Sequence, residues 1–235
     1  MRTFFSDIFY PSDAGKLTAL TRFERKDETY PIIIVPHAGL SFVSEGLKAG
    51  FSHLRQAERY VFIAPLHNGA FPDSDASLFT LPDMVLDTPY GNVSFSGISG
   101  LQAEDSILEE EYSAELTAPF FAQMDNSSVL PIFTALTGAE DVKKLRRLIS
   151  ALRDGKTSFV ISGNFAEEGK TEKMKEQADT LLQYLTEARP LLEEQRKQKV
   201  SGCALKTAEA FRGLYNSYIP LWEGCNPIHR SGAFV

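Results

Sequence analysis

Two short apolar segments that each end at a proline most strongly constrain the fold of this chain. Residues 31–35 and 60–64 are rich in β-branched and aromatic side chains and stop at Pro36 and Pro65. Runs of this length and composition predict buried strands. Between them, apolar residues recur at helical spacing over residues 44–54, which predicts a crossover helix. The order strand, helix, strand indicates a right-handed βαβ unit and therefore an α/β fold.

A histidine lies just beyond each of these predicted strands. His37 and His67 are two of only four histidines in the chain. Ligands of open α/β sheets bind where strands end at their carboxyl edge, so we expect both imidazoles at one shared edge. A metal or catalytic site is one interpretation of this pair. The alternative is that each ring only caps its strand and hydrogen-bonds a loop.

The composition is typical of one globular domain. The chain has 235 residues, of which 43% are hydrophobic; this is enough for a full core, and we expect a single domain over residues 1–235. The formal net charge of −7 argues against nucleic-acid binding. No apolar run approaches the about 20 residues of a membrane span, and the first residues do not resemble a signal peptide. We therefore expect no membrane segment and a cytoplasmic location.

Capping and turn residues predict the remaining elements. Ser12 or Asp13 caps a short helix over residues 14–20, and residues 69–100 form a long loop that carries a hairpin. Residues 220–235 show no recognisable closing strand. The other predicted elements are a helix near 101–116 or just beyond, a strand over 129–136, a helix over 139–152, a strand over 158–162, helical segments over 171–199 with a break near Pro190, and a helix over 203–215.

The two cysteines, Cys203 and Cys225, are too few for a disulfide scaffold. Neither belongs to a CxxC pair. Cys225 and His229 are four residues apart, but no second pair accompanies them, so they form only a weak metal motif. In a reducing compartment either cysteine could be a ligand or nucleophile, and packing as a small buried hydrophobe is the alternative.

With these residues in view, the chain resembles the Memo family, protein B of the set named AmmeMemoRadiSam. Each shared motif is weak alone, but their order and spacing together are specific. The resemblance implies one domain with a central mixed sheet flanked by helices, similar to class III extradiol dioxygenases. The motifs that carry it are Phe9-Tyr10-Pro11, Pro36-His37-Ala38-Gly39, Pro65-Leu66-His67-Asn68, Asp87-Thr88-Pro89-Tyr90-Gly91, Glu111-Tyr112-Ser113-Ala114-Glu115, Ser162-Gly163-Asn164 and Cys203.

The resemblance also implies a metal pocket. Its ligands would be His37, His67 and Cys203, and Cys203 is selected by the family rather than by its spacing in the sequence. Imidazole nitrogens and a thiolate suit iron or copper, with zinc as a further option, and disfavour magnesium or calcium. The implied function is a metal-dependent, dioxygenase-like oxidoreductase that acts on an unidentified small molecule.

Three positions depart from the usual family pattern. Tyr112 and Glu167 stand where the family usually has histidine, and Asn164 stands where it usually has aspartate. Asn164 and Glu167 could orient a ligand, Glu167 could coordinate directly, and Tyr112 could position substrate, although each could also only pack or face solvent. Loss of a general acid or base typically costs roughly 10²–10⁴-fold in rate. The alternative hypothesis is therefore a catalytically degenerate binding or scaffold protein with a protein partner, and a small-molecule carrier is a third.

Overall fold

The computed structural model of the protein describes residues 4–67, 75–125, 128–166, 171–197, 199–224, 226 and 228–235. These residues form a mixed β-sheet with helices packed on both faces, which confirms the α/β class expected from the sequence. The strands of the described part are β1 Ile32–Val35, β2 Arg59–Pro65, β3 Leu78–Thr80, β4 Met84–Thr88, β5 Gly91–Phe95, β6 Gln102–Ala103, β7 Ser128–Thr134, β8 Thr157–Ser162, β9 Tyr218–Glu223 and β10 Arg230–Phe234. The helices there are α1 Ala14–Thr21, α2 Leu40–Ser52, α3 Ile107–Glu110, α4 Ser113–Phe121, α5 Ala139–Leu152, α6 Thr171–Thr186, α7 Leu191–Arg196 and α8 Ala204–Phe211.

Four parallel strands in the order β7, β2, β8, β1 form the centre of the sheet. Alternate residues of β1 enter two different cores. Ile33 and Val35 join the core that includes α2 and α4, whereas Ile32 and Ile34 join the core that includes α5, α6 and α8. Because both faces of β1 are covered, every position must be apolar, and this explains its uninterrupted apolar run.

Several predicted elements are confirmed with small changes at their ends. Helix α5 has the predicted bounds, and the hairpin predicted within residues 69–100 is the antiparallel pair β4 and β5. Helix α2 begins at Leu40, earlier than predicted. Helix α8 ends at Phe211, before the predicted end, because Arg212 is extended and Gly213 has a φ of +83°. Glycine adopts such a left-handed conformation without steric cost.

The helix predicted near residues 101–116 was wrong in its extent. It is two helices, α3 and α4, separated by Glu111, whose backbone is extended with φ −116° and ψ 107°. The break places the Glu111 side chain in the interior, where it is fully buried. All nine residues of α4 are buried, so this helix shows no polar face from which a boundary could be predicted.

A closing strand, which was not recognisable in the sequence, is present in the structure. Strand β10 pairs antiparallel with both β1 and β9. Its sequence, Arg-Ser-Gly-Ala-Phe, has no β-branched residue, so strand propensity does not identify it. The small residues fit a crowded place: Ser231 Oγ donates to the carbonyl oxygen of Gly46 at 2.6 Å, and a Cβ on Gly232 would lie 2.1 Å from Tyr218 Oη.

No helix among the described residues is both long and apolar enough to cross a membrane.

Candidate metal centre

The sheet brings the two strand-end histidines together. His37 follows β1 and His67 follows β2, and both strands run parallel to β8, which lies between them. Their ring centroids are 4.8 Å apart, with the ring planes at 76°. The predicted shared edge of the two imidazoles is therefore confirmed. Because parallel strands end at the same edge of a sheet, the residues that follow β1 and β2 meet there, across the end of β8.

Cys203 joins the two histidines from the start of α8. One potential ligand atom from each of His37, His67 and Cys203 lies within 4.8 Å of the others. Cys203 Sγ is 3.3 Å from His37 Nε2. His37 is only 1% exposed, whereas the His67 side chain is 37% exposed, so the cluster is open on the His67 side. The fold of the protein brings these three donor atoms together, and this donor set could hold a metal ion.

Asn164 and Ser162 position His37. The His37 ring nitrogen Nδ1 lies 3.0 Å from Ser162 Oγ, the last residue of β8. The Asn164 side chain brackets the His37 main chain, because Nδ2 donates to the carbonyl oxygen at 3.1 Å and Oδ1 accepts from the peptide N–H at 3.4 Å. The peptide N–H of Asn164 also donates to Cys203 Sγ at 3.0 Å. Asn164 thus contacts two members of the cluster, at the main chain of His37 and at the sulfur atom of Cys203.

Glu111 positions His67. The Glu111 carboxylate accepts from His67 Nδ1 at 2.6 Å through Oε2, and its Oε1 accepts from the peptide N–H of Ser113 at 3.0 Å. No role was predicted for Glu111 or Ser162 from the sequence, although both lie in the motifs that resemble the family. The signal available in the sequence was the position of Glu111 directly before Tyr112, where this chain differs from the usual family pattern. Metal-bound histidines commonly donate their other ring N–H to a carboxylate or hydroxyl in this way.

Charge at the cluster favours a bound cation. Burial alone would lower the pKa of His67, but the hydrogen bonds that its ring donates to Cys203 and Glu111 outweigh burial and raise that pKa to about 10. Burial would raise the pKa of Cys203, but His37, His67 and the Asn164 N–H lower it to about 6. The pKa of Glu111 is also lowered, since its bonds to His67 outweigh its burial. The Cys203 thiolate and the Glu111 carboxylate both stabilise positive charge near His67. A metal cation bound by thiolate and imidazole ligands would be stabilised in the same way.

Tyr112 covers the histidine pair. Its ring stacks on Phe9 with centroids 3.9 Å apart, and its hydroxyl lies 3.5 Å from the carbonyl oxygen of His37. The Tyr112 ring is also near-parallel to His67 at 6.3 Å. The predicted residue therefore lies against the cluster, with its hydroxyl directed to the His37 backbone.

The other candidate residues are placed elsewhere or fall outside the described part of the chain. Glu167 and Cys225 lie outside the described residues. His229 is buried, and burial together with the charge of His37 lowers its pKa to about 4, so this imidazole is neutral near pH 7. His229 is not among the three residues of the cluster.

A cleft of about 550 Å³ lies beside Cys203. Its lining includes Pro65 and Leu66, which lead into His67, and Cys203 and Lys206 from α8 and its N-cap. A cavity of this size accommodates a small organic molecule. The cluster and the cleft share Cys203, so a molecule bound in the cleft would contact the side of the cluster that carries the sulfur.

Comparisons with known proteins identify the family of the chain. A family model described as Memo-like protein matches residues 6–203. A MEMO1 family protein from Archaeoglobus fulgidus is 29% identical over 169 residues, which cover 66% of this chain and 63% of that relative. The chain thus matches less than two thirds of the length of this relative. Because the family model covers most of the chain and includes His37, His67 and Cys203, the protein belongs to the Memo-like protein family.

Proposed function

We propose that this protein binds one transition-metal ion through His37, His67 and Cys203 and is a metal-dependent oxidoreductase of the dioxygenase-like type. The observation that carries the proposal is the approach of the three ligand atoms to within 4.8 Å of one another. Iron or copper is the expected metal, with zinc as a further option, because the donor set combines two imidazoles and a soft thiolate.

The proposal assigns each ring nitrogen a role. Ser162 and Glu111 each contact the Nδ1 atom of one imidazole, which leaves Nε2 of both rings for the metal. Hydrogen bonds of this kind fix the tautomer and the ring orientation. Asn164 holds the thiolate through its peptide N–H. A resident iron or copper ion would supply electron transfer to or from a small molecule.

The open side of the cluster supports a catalytic rather than a purely structural metal. Structural zinc sites usually have four protein ligands, whereas catalytic sites have three and leave a position for water or substrate. Among the described residues, the cluster offers three protein ligands, and the His67 side chain is partly exposed to solvent. The metal ligand Cys203 must stay reduced, so we also propose a reducing, cytoplasmic compartment.

A second candidate function is a binding or scaffold role in which the metal pocket has lost its catalytic partners. Two observations favour it. The Asn164 amide is engaged with the His37 main chain, and the Tyr112 ring is stacked on Phe9. Neither side chain offers the carboxylate or imidazole that the family usually has at these positions, and such groups provide general acid or base catalysis.

Metal content measured by mass spectrometry tests the metal proposal. We expect nearly one equivalent of iron, copper or zinc in untagged wild type, and loss of this metal in His37→Ala/His67→Ala. His53→Ala is the matched control, because His53 binds the carbonyl oxygen of Glu28 far from the cluster, and its metal content should equal wild type. Absence of metal from wild type after anaerobic reconstitution would contradict the proposal. Stoichiometric metal without oxygen consumption would favour the binding or scaffold function.

A further inference from the structure

Three residues on one face of α8 line the cleft beside the cluster. Cys203, Lys206 and Thr207 are spaced i, i+3 and i+4, so their side chains lie on the same side of the helix. All three contribute to the wall of the 550 Å³ cleft. The start of α8 also faces the cluster, because Cys203 is its N-cap residue. The partial positive charge of a helix N-terminus favours anions there.

Lys206 places a positive charge in the cleft. Its Nζ donates to the carbonyl oxygen of Leu136 at 2.5 Å, which holds the ammonium group against the loop after β7. Within the described ranges, no carboxylate forms an ion pair with Lys206. An ammonium group has three donors, so two remain for a ligand. In a protein with a net charge of −7, an unbalanced ammonium in a cleft marks a place suited to an anion.

Two largely buried threonines line the same cleft. Thr207 is 2% exposed and Thr134 is 3% exposed, and both contribute to its wall. In the part of the chain that the structure describes, neither threonine hydroxyl has a hydrogen-bond partner. A hydroxyl that lines a cleft can donate or accept a hydrogen bond with a molecule bound there. The oxygen atoms of an anionic ligand in the cleft would accept hydrogen bonds from these hydroxyls and from Lys206.

Apolar residues also line the cleft. Its apolar lining consists of Pro65, Leu66, Ala135 and Leu136, and Thr137 and Gln195 add polar side chains. Small-molecule sites commonly combine such apolar walls with a few polar groups that orient the ligand. We propose that this cleft binds the carboxylate or phosphate of a small molecule with an apolar body, through Lys206, Thr207 and Thr134. The ligand's role as a substrate rests on the proposed function above, whereas its binding does not.

Fluorine NMR titration of the intact chain with para-fluorobenzoate and para-fluorophenyl phosphate tests the proposal. The neutral para-fluorobenzamide is the reference ligand. We expect at least one of the two anions to bind, and the amide to bind at least about tenfold more weakly. Lys206→Met should weaken anion binding about tenfold or more, because a hydrogen bond to a charged group is lost. Thr207→Val should weaken it by a smaller factor. The anion that binds more tightly identifies the ligand class.

Matched variants separate this proposal from the metal proposal. Lys175→Met removes an exposed lysine of α6 and should leave anion binding unchanged. His37→Ala should lose metal and still bind the anion. Binding that is lost in His37→Ala and unchanged in Lys206→Met would place the anion on the metal and overturn the proposal. Equal binding of benzamide and benzoate, or no binding of either anion to wild type, would also overturn it.

Discussion

At the residue scale, the two hydrogen bonds to imidazole Nδ1 atoms decide what the cluster can bind. Glu111 contacts His67 and Ser162 contacts His37. A histidine ring can offer either nitrogen to a metal, and the partner of the other nitrogen determines which one. Both partners act on Nδ1, so both rings direct Nε2 towards Cys203. Ser162 and Glu111, which are not themselves ligands, thus orient the two imidazole ligands.

We expect Glu111→Gln to weaken metal binding by about 10-fold or more, because the uncharged amide orients His67 less firmly and makes it a poorer ligand. Competition with a chromophoric chelator measures this affinity. Glu110→Gln is the matched control, since Glu110 is exposed and belongs to the same segment. An unchanged affinity in Glu111→Gln would show that the carboxylate does not support the metal site.

The site residues differed in how far the sequence predicted them. His37 and His67 follow apolar runs that are recognisable locally, so their shared edge could be predicted. Cys203 was identified only through the family resemblance, because it is 166 residues from its partner His37. Glu111 was not predicted, since the extended backbone that turns its side chain inward depends on how α3 and α4 pack.

At the element scale, two glycines bring β8 and α8 into backbone contact. A Cβ on Gly163 would lie 2.8 Å from Ala204 Cα. Gly202 has a φ of +106°, and a Cβ there would lie 2.5 Å from the carbonyl oxygen of Asn164. Distances this short are repulsive, so the loop after β8 and the start of α8 can approach only where both side chains are absent. This approach places Cys203 Sγ on the Asn164 N–H.

We expect Gly163→Ala to separate β8 from α8 and to lower the free energy of unfolding by about 1–3 kcal/mol, as for other crowded substitutions. Metal affinity should fall as well, because Cys203 moves with α8. Urea denaturation and chelator competition measure the two effects. Gly138→Ala is the control, because a Cβ at Gly138 has no atom within 4 Å. A fully stable Gly163→Ala protein would contradict the argument from close packing.

At the scale of the whole molecule, a single sheet contains both the first and the last strand of the described chain. Strand β10 near the carboxyl end pairs with β1, and β4 lies at the opposite edge from β9. Helices on both faces pack against the same central strands. This continuity supports the prediction that the 235 residues form a single domain, which then unfolds cooperatively.

We expect urea unfolding followed by Trp222 fluorescence and by far-ultraviolet circular dichroism to give coincident transitions. Trp222 is the single tryptophan and belongs to β9, one of the two edge strands of this strand order, whereas circular dichroism reports on all helices and strands. Coincidence of different probes is the usual test of two-state unfolding. Two separate midpoints would show that the β9 edge unfolds independently and would contradict a single cooperative domain.

The sequence by itself determined the α/β class, the central strands, helix α5 and the position of two histidines at strand ends. These features depend on local patterns, namely apolar periodicity and the prolines and glycines that interrupt it. Only the tertiary structure decided the closing strand β10, the inward turn of Glu111 and the meeting of Cys203 with His37. Each of these depends on contacts between segments that are distant in the sequence. The local spacing of apolar and polar residues does not indicate which distant segments of backbone can pack closely together.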